Sequence, residues 1–370
     1  MHLGIDGNEA NIKRRVGSNI YAYELLSWFQ KLDKKSNFTI YLKSQPLDDL
    51  PKPQENWQYR VIKPTTLWTR WRLPLDLYLH RPKPNVFFTP GHYAPKFCPA
   101  PFAIAIMDLS FIHFPEMFRK QDLYKLTNWS RDSILRADHI FTISNFSKDD
   151  IIKNYSVPEE KVTVTYPGFD QERFGRRISP QEIERIKKRY NIVGDYLLYV
   201  GTLQPRKNLT RLIRAFAQIK GTHLSLVIAG KKGWLYSKIL DEGKQLGVED
   251  RVRFIGYVTN KDAPALMSGA EALVLVSLYE GFGIPVLEAM ALGIPTVISG
   301  TSSLPEIAGE VGIMVDPKDV KSITRGLDQA IQLNEFQRKE NAVKSKVQAK
   351  KFTWKQAAEK TLEVLYELAV

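Results

Sequence analysis

Two glutamates, Glu280 and Glu288, lie eight positions apart in the stretch "YEGFGIPVLEAMALG". Paired carboxyl groups act as acid and base in glycoside hydrolysis when roughly 5 to 10 Å separates them. The same pair would also suit two hydrogen-bonding clamps on one ligand. The plainest interpretation is a helix with charged residues at its start. The spacing alone leaves all three alternatives open.

The residues between these glutamates are typical of a helix start. Pro285 suits the first helical position, Gly293 suits the position after the last turn, and Pro295 prevents continuation. We therefore predict that Glu280 lies on a loop and Glu288 in the first turns of the helix. Backbone around such a helix start is a candidate for binding phosphate or sugar oxygens. The residues concerned are Gly281, Phe282, Gly283, Ile284, Val286 and Leu287.

A basic pair, Arg206 and Lys207, follows the apolar run "YLLYVGT" and precedes another predicted helix. Cations beside a helix N-terminus fit a diphosphate, because free backbone donors and positive side chains converge there. The alternative is an ordinary basic loop between a strand and a helix.

Glycines follow two further apolar runs, Gly230 after "LSLVIA" and Gly256 within "VRFIGYV". They would allow the backbone to approach a ligand, and the loop at Tyr257 and Val258 would offer main-chain groups to a nucleobase edge. Glycines at such turns are also common for steric reasons alone.

All these candidates follow short apolar runs that alternate with helical patterns. Runs such as "VFFT", "FAIAIMD", "LSLVIAG" and "EALVLVS" are continuously apolar or nearly so, which is typical of parallel strands covered on both faces. Ligands bind at the carboxyl ends of strands in such sheets. We predict an α/β fold with two Rossmann-like, doubly wound domains.

The chain length of 370 residues also favours two domains. A polar, charged stretch over residues 166–192 is the predicted seam, and we place the boundary between residues 1–170 and 171–352. The chain then closes with an amphipathic helix, 353–370, for which Thr353 is a candidate N-cap.

Charge and composition narrow the choice of partners. Lys and Arg total 53 against 40 Asp and Glu, a net charge of +13, which favours phosphate-bearing partners. Trp57, Trp68 and Trp71 stand among arginines and lysines, which suits an anionic membrane surface; a solvated basic face with packed tryptophans is the alternative. No module for nucleic acid is recognisable, so we expect no nucleic-acid partner.

Cellular location is predicted from what the sequence lacks. No secretory signal or uncharged run of about 18 residues is recognisable. The single cysteine, Cys98, argues against disulfides and a cysteine-based metal site. We expect a cytoplasmic protein, peripheral on the inner face of the plasma membrane if the lipid interpretation holds.

Six motifs in order, "VGTLQPRKN", "IAGKKGW", "FIGYV", "SLYEGFGIPVLEAMALGIPTVIS", "SSLPEIAG" and "VDP", resemble those of retaining glycosyltransferases of family four. The similarity is greatest to the mannosyltransferase-type subgroup of polysaccharide assembly. It implies the GT-B fold, in which two Rossmann-like domains face each other across a cleft and the last helix crosses back to the N-terminal domain. It also implies a nucleotide-diphosphate sugar in the C-terminal domain, an acceptor in the N-terminal domain, and neither cofactor nor metal.

The resemblance implies roles for individual residues. Glu280 matches the first glutamate of the family's E-x7-E element, near the transferred sugar, and Glu288 the second, which accepts hydrogen bonds from the ribose hydroxyls. Arg206 and Lys207 match the pair that neutralises the diphosphate. The remaining matches are Gly17, in the glycine-rich first loop, and Asp108, in the acceptor-side motif.

The chain departs from the family pattern at two positions. Met107 stands where many relatives have histidine, and its side chain cannot replace the hydrogen bonds of histidine. His113 would be a substitute, or else a structural histidine. Thr202 stands where many relatives have arginine, which leaves more of the phosphate charge to Arg206 and Lys207.

The resemblance implies transfer of a hexose to a glycan or lipid-linked glycan in cell-surface polysaccharide biosynthesis, with retention at the anomeric carbon. Mannose from GDP-mannose is the favoured donor. A UDP- or ADP-sugar donor, or a non-catalytic nucleotide-sugar-binding protein, is the alternative.

Overall fold

The computed structural model describes residues 1–220, 223–233 and 236–370. The chain forms two compact units, Met1–Gly168 together with Thr353–Val370, and Phe169–Phe352. The first unit thus ends two residues before the boundary placed from the sequence. Trp234 of the motif "IAGKKGW" lies outside the described residues.

The first unit is built on seven parallel strands: β1 (His2–Asp6), β2 (Asn37–Leu42), β3 (Trp57–Val61), β4 (Val86–Thr89), β5 (Phe102–Ile106), β6 (His139–Thr142) and β7 (Val162–Val164). Their order in the sheet is β3-β2-β1-β4-β5-β6-β7. The connecting helices are α1 (Ser18–Leu32), α2 (Leu73–Leu79), α3 (Ser110–His113), α4 (Lys120–Arg136) and α5 (Asn145–Tyr155), with a π-helical turn at Trp68–Arg72. Because the order reverses beside β1, right-handed connections place helices on both faces.

The apolar runs of the sequence form the centre of this sheet. Every residue of β4, "VFFT", and of β5, "FAIAI", is buried, as expected for parallel strands covered on both faces. The helix α1 covers part of the sheet through buried residues that include Tyr21 and Leu25. The Tyr21 hydroxyl is hydrogen-bonded to Thr165 Oγ1 at 2.7 Å, which gives this buried polar group a partner.

Over its described residues, the second unit contains six parallel strands: β8 (Tyr196–Val200), β9 (Ser225–Ala229), β10 (Val252–Gly256), β11 (Ala272–Leu275), β12 (Thr296–Ser299) and β13 (Ile313–Val315). Their order is β10-β9-β8-β11-β12-β13. The helices are α6 (Gln171–Phe174), α7 (Pro180–Arg189), α8 (Leu209–Ala217), α9 (Ser237–Gln245), α10 (Ala263–Ser268), α11 (Ile284–Leu292), α12 (Leu304–Ala308), α13 (Val320–Ile331) and α14 (Glu335–Ala349). Both sheets have the doubly wound order, so the prediction of an α/β fold with two Rossmann-like domains is confirmed.

The last helix, α15 (Trp354–Leu368), belongs to the first unit. Thr353 caps it by accepting a hydrogen bond from the Gln356 amide at 3.2 Å, which confirms the predicted N-cap. The helix packs on α1, where the rings of Tyr21 and Trp354 meet edge to face with centroids 6.1 Å apart. In the described part of the chain, no helix combines the length and apolar character needed to span a bilayer.

Two glycines inside helices of the second unit provide a matched test of packing. A Cβ at Gly326 in α13 would lie 2.3 Å from Val315 Cγ1, whereas at Gly243 in α9 the nearest atom, Val252 Cβ, would be 3.6 Å away. Alanine favours helix by about 1 kcal/mol over glycine, but overpacking a core costs about 1 to 3 kcal/mol. We expect Gly326→Ala to lower the free energy of unfolding in urea and Gly243→Ala to raise it. A stabilising effect of both substitutions would show that α13 is not held against the sheet as described.

Candidate active site

The neighbouring strands β8 and β11 mark the point where the order of the second sheet reverses. Loops leaving such a pair turn to opposite faces and open a crevice at the carboxyl ends of the strands. Arg206 and Lys207 follow β8, and Glu280 follows β11. The topology therefore brings the basic pair to a glutamate that lies 73 positions beyond Lys207 in the chain.

A short 3-10 turn, Pro205–Lys207, carries the basic pair. It ends at Asn208, whose φ of 60° is one that asparagine tolerates better than most residues. The buried side-chain amide of Asn208 donates to the carbonyls of Val276 at 2.9 Å and Pro317 at 2.6 Å. Asn208 thereby ties the loop after β8 to the chain after β11, through Val276, and to the chain after β13, through Pro317. The sequence analysis missed this role.

The Glu280 carboxylate lies among the side chains of the basic pair. Lys207 Nζ donates to Oε1 at 2.5 Å, and Ser277 Oγ donates to the same oxygen at 2.7 Å. Arg206 Nη1 lies 3.5 Å from Oε2 and donates to the Tyr279 carbonyl at 2.8 Å. The sequence placed these three charged residues in one site, but it did not predict that the cations would hold the glutamate itself.

Glu280 is ionised although only 5% of it is exposed. Desolvation by burial acts to raise its pKa. The charges of Lys207 and Arg206, with hydrogen bonds from Lys207 and Ser277, outweigh that effect and hold the pKa below its usual value. Two cations therefore face one carboxylate, and the group as a whole stays positive.

Two serines after β12 hold the backbone around Glu280. Ser302 Oγ accepts a hydrogen bond from the Glu280 amide at 3.1 Å. Ser303 Oγ donates to the carbonyls of Glu280 at 2.9 Å and Phe282 at 3.0 Å. The sequence analysis used "SSLPEIAG" for the resemblance alone and missed these contacts. A serine pair after the strand next to β11 was the available signal.

The helix α11 begins at Ile284, one residue before the predicted start, and Gly293 ends it with a φ of 80°, as predicted. Gly283 precedes the helix with a φ of 112°, a conformation that side chains rarely adopt. A Cβ at Gly283 would also lie 2.5 Å from Leu304 Cδ2. Glycine is therefore required here by both conformation and space.

The backbone amides predicted to hold ligand oxygens are in part already engaged. Val286 and Leu287 donate their N–H groups to the Gly283 carbonyl, at 2.9 and 3.4 Å. This differs from the prediction, because the capping glycine directs its carbonyl into the helix. Gly281 and Phe282 are buried in the loop ahead of it. Ile284 is left as the candidate at the first helical position.

Glu288 lies in the second turn of α11 and is partly buried. Burial raises the pKa of this carboxyl to about 8, Arg173 acts to lower it, and Asp170 acts to raise it. Arg173 Nε is itself paired with Asp170 Oδ2 at 2.5 Å. At neutral pH Glu288 is therefore protonated, the opposite state to Glu280. Its neighbours Asp170, the N-cap of α6, and Arg173, within α6, were not among the predicted site residues.

The glycine after β9 has a structural explanation. A Cβ at Gly230 would lie 1.8 Å from the carbonyl oxygen of Gly201, so the two strand ends pack backbone to backbone. Gly230 also donates its N–H to the Gly256 carbonyl at 2.7 Å. This contact favours the interpretation that Gly230 is needed for steric reasons over the interpretation that it lets the backbone approach a ligand.

Three other predicted binding residues lie in loops of the same sheet. Thr202 follows β8, and its carbonyl accepts a hydrogen bond from the Tyr199 hydroxyl at 3.2 Å. Tyr257 follows the edge strand β10, is 44% exposed, and has Lys231 Nζ 5.0 Å from its ring centroid. Val258 beside it is partly buried. Because β9 separates β10 from β8, strand pairing does not place Tyr257 next to the basic pair.

In the first unit, the order of strands reverses between β1 and β4. Gly17 precedes α1 with a φ of 50° and open space where a Cβ would lie. Glu9, after β1, accepts hydrogen bonds from Asn19 at 2.6 Å and Ser18 at 3.4 Å, and burial raises its pKa. Over the residues described, no three His, Cys, Asp or Glu side chains are grouped as metal ligands.

Asp108 follows β5, and its Oδ1 accepts a hydrogen bond from the Ser110 amide at 2.9 Å. Met107 is buried, and its carbonyl accepts a hydrogen bond from Ser147 Oγ at 3.3 Å. His113 Nε2 lies 2.8 Å from both carboxylate oxygens of Asp150. That pairing favours a structural role for His113 over the role of a substitute for the histidine that many relatives have at position 107.

A histidine that the sequence analysis did not consider, His92, follows β4. Its buried Nδ1 has no hydrogen-bond partner within the described residues. Burial lowers its pKa, and the charge of Asp108 acts to raise it. The ring is therefore a neutral imidazole at the carboxyl end of a central strand, and the motif "PGHYAP" directly after "VFFT" was the signal for it.

Two family models match the chain almost end to end. Residues 17–173 match "Glycosyltransferase Family 4", and residues 181–347 match "Glycosyl transferases group 1". Each match falls largely within one of the two units.

Relatives and a solved structure agree with these models. The O-antigen chain mannosyltransferase B of Escherichia coli is 31% identical over 262 residues, 69% of this chain and 67% of the relative. The serotype-specific mannosyltransferase WbdA of Escherichia coli is 30% identical over 251 residues, which are 66% of this chain and only 30% of WbdA. Anabaena Alr3699/HepE, solved with UDP and glucose, superposes with a TM-score of 0.77 at 19% identity over 99% of both chains. Since the fold, the ordered motifs and the relatives agree, this chain belongs to glycosyltransferase family four.

Proposed function

We propose that the protein transfers a hexose, with mannose from GDP-mannose favoured, to a glycan or lipid-linked glycan acceptor with retention at the anomeric carbon. The observation that carries the proposal is the cluster of Arg206, Lys207 and Glu280 at the point where the second sheet reverses. Such a crevice is where open parallel sheets bind nucleotides. Its net positive charge suits a diphosphate leaving group.

The basic pair would stabilise the charge that develops on the leaving diphosphate. Lys207 and Arg206 are mostly buried and held by Glu280 and the Tyr279 carbonyl before any ligand binds. Preorganised charges in a partly dehydrated site stabilise a transition state without further reorganisation. The N-terminus of α11 would add the positive end of a helix dipole.

The proposed chemical step needs no nucleophile from the protein. The bond between the anomeric carbon and the β-phosphate oxygen breaks, and the acceptor hydroxyl oxygen bonds to the same face of the sugar. The hydroxyl proton passes to the departing phosphate oxygen, and the products are a glycoside and a nucleoside diphosphate. No metal takes part in this proposal, because Arg206 and Lys207 supply the positive charge.

The geometry of Glu280 supports a positioning role for this glutamate. Its Oε1 accepts hydrogen bonds from Lys207 and Ser277, and Arg206 lies near Oε2. We propose that Glu280 fixes the two cations toward the diphosphate, close to the sugar. Glu288 would bind the ribose hydroxyls, and the exposed ring of Tyr257 is the candidate for contact with the base.

The identity of the donor rests on the relatives. The names of the two Escherichia coli relatives specify mannosyltransferases, which supports mannose and an acceptor in cell-surface polysaccharide synthesis. HepE was solved with UDP and glucose, so a UDP-sugar is the alternative donor.

A thermal-shift panel with GDP, UDP, ADP and their sugar conjugates tests the choice of donor. A ligand that binds the native state raises the melting temperature by mass action, and we expect the largest shift with GDP and GDP-mannose. Incubation with labelled GDP-mannose and UDP-glucose then separates a transferase from a binding protein. If the protein bound a sugar nucleotide but showed neither transfer nor slow hydrolysis with a suitable glycan acceptor present, the transferase proposal would be contradicted.

Removing the lysine charge should affect both folding and transfer. In Lys207→Met, Glu280 loses its shortest ion pair, and breaking a buried pair costs about 3 kcal/mol of unfolding free energy. The loss of charge at the diphosphate should lower kcat/KM by about 100-fold. Urea unfolding and initial-rate kinetics measure the two effects separately.

The double variant Lys207→Met with Glu280→Gln is the matched control. It removes both charges at nearly constant volume, so stability should return to within about 1 kcal/mol of the wild type. Transfer should remain impaired. Recovery of wild-type transfer together with stability would mean that the lysine only neutralises Glu280 and does not act on the diphosphate.

The raised pKa of Glu288 predicts how donor affinity depends on pH. If ribose hydroxyls donate to the ionised carboxylate, binding must release the proton that Glu288 holds below its pKa of about 8. The affinity for GDP-mannose should therefore rise roughly 25-fold between about pH 6.5 and about pH 8.5, in proportion to the ionised fraction of Glu288. Glu288→Gln should bind more weakly and show a flat profile. Calorimetry with this sugar nucleotide is suitable, because its phosphates do not titrate in that range.

Stability of the unliganded protein tests the same pKa without a ligand. The folded pKa of about 8 exceeds the reference of 4.5, so the wild type loses stability as the pH rises from about 4.5 to about 8. Glu288→Gln avoids the cost of ionisation and should be roughly 2 kcal/mol more stable than the wild type at about pH 8.5, well below the full shift because the side chain is partly exposed. Equal pH profiles for both proteins would contradict a buried, protonated Glu288.

A further inference from the structure

The helical segment from Trp68 to Leu79 is apolar on two sides. Trp68, Leu73 and Leu77 are at most 2% exposed and pack into the core of the first unit. Trp68 also donates its indole N–H to the Ile62 carbonyl at 3.2 Å. A surface helix anchored in this way normally presents polar residues to solvent.

The opposite side presents large apolar side chains instead. Leu67, Trp71, Leu75 and Leu79, spaced four apart, are 55, 59, 51 and 73% exposed, and Tyr78 is 45% exposed. We call these five residues the docking face. Scattered exposed apolar residues are ordinary, but a contiguous patch on one helix marks an interaction surface. Of the three tryptophans noted in the sequence, Trp57 and Trp68 are packed, and Trp71 alone suits the lipid interpretation.

The stretch of chain that contains the docking face is strongly basic. Between Ile62 and Cys98 the chain has a single carboxylate, Asp76. Arg60 neutralises it with two hydrogen bonds, Nε to Oδ2 at 2.6 Å and Nη2 to Oδ1 at 2.5 Å. The same stretch contains six cations: Lys63, Arg70, Arg72, Arg81, Lys83 and Lys96.

Beside the docking face lies a surface cavity of about 340 Å³. Ile62, Leu75 and Leu79 form an apolar part of its wall. The polar part consists of Lys63, Arg72, His80 and the Arg60–Asp76 ion pair, in which the carboxylate is already neutralised. Exposed leucines next to cations match the layering of a bilayer surface, where acyl chains lie beneath charged headgroups.

A neighbouring loop extends the same surface. The Lys96 amide donates to the Thr69 carbonyl at 3.2 Å, which holds the turn at Lys96 and Phe97 beside the helical segment. Phe97 is 50% exposed, and Lys96 Nζ lies 5.5 Å from its ring centroid. The pairing of an exposed ring with a lysine is thus repeated outside the helix.

We propose that the docking face and its cations seat the protein on a bilayer rich in anionic phospholipid, with the cavity at Lys63 and Arg72 taking a phosphate headgroup. Charge complementarity selects this occupant. A second copy meeting the same face would oppose cations to cations, and a nucleic acid would leave the leucines in water. The proposal does not depend on the proposed transferase activity, since the docking face contains no residue assigned to donor binding.

Vesicle sedimentation of the full chain tests the proposal without any sugar nucleotide. We expect binding to vesicles of equal parts phosphatidylglycerol and phosphatidylcholine, weaker binding at high salt, and none to pure phosphatidylcholine. Trp71→Ser with Leu79→Ser should lower the partition coefficient at least about tenfold. Lys63→Gln and Arg72→Gln should each lower it about fivefold. Brominated lipid should quench the wild-type fluorescence, with much of that quenching lost in Trp71→Phe.

The matched control is Tyr124→Ser with Leu135→Ser, which removes an exposed aromatic residue and an exposed leucine from α4 of the same unit. It should bind vesicles as the wild type does. The proposal would be overturned if the wild type did not bind the anionic vesicles at low salt, or if both double variants lost vesicle binding to the same extent. The proposal would also be overturned if the wild type did not bind vesicles but formed a concentration-dependent dimer, and if Trp71→Ser with Leu79→Ser abolished that dimer.

Discussion

The second unit depends on keeping one buried carboxylate charged. An ion of this kind costs several kcal/mol to bury unless it is paired and hydrogen-bonded. Glu280 meets that requirement with Lys207 and Arg206 from the loop after β8 and with Ser277 from its own loop. The partners come from the loops after both strands at the reversal of the sheet. The cost of burying the Glu280 charge is therefore offset only when these two loops meet.

Further hydrogen bonds hold Glu280, Lys207 and Arg206 in a defined geometry. Asn208 bridges the two loops through the Val276 carbonyl and also reaches the chain after β13 through the Pro317 carbonyl. Ser303 fixes the turn between Glu280 and α11. The Leu278 amide donates to the Arg206 carbonyl at 2.8 Å. Buried polar groups that are fully hydrogen-bonded make a structure rigid, so the cations are held in place before a ligand arrives.

The fold could be predicted from the sequence because one pattern recurs along the chain: continuously apolar strands such as β4 and β5 alternate with helices. Sequence reasoning reached Glu280, Arg206 and Lys207 because strand ends converge in parallel sheets. It could not foresee that Gly230 faces the Gly201 carbonyl or that Val286 and Leu287 are already hydrogen-bonded, since both depend on backbone torsions. His92 was missed because a buried ring nitrogen without a partner among the described residues, here Nδ1, can be recognised only when its surroundings are known.

The two glutamates resemble an acid and base couple, since their pKa values are shifted in opposite directions, and such shifts often identify the two roles. Their contacts argue otherwise. Glu280 is ionised, but it is 5% exposed and its carboxylate faces Lys207, Arg206 and Ser277, so it is poorly placed to attack a sugar. Glu288 is neutral and therefore leaves the positive charge of the cluster undiminished. With one glutamate paired and the other protonated, the unliganded site has one net positive charge from three ionised side chains, which favours an approaching anionic diphosphate over a neutral glycoside.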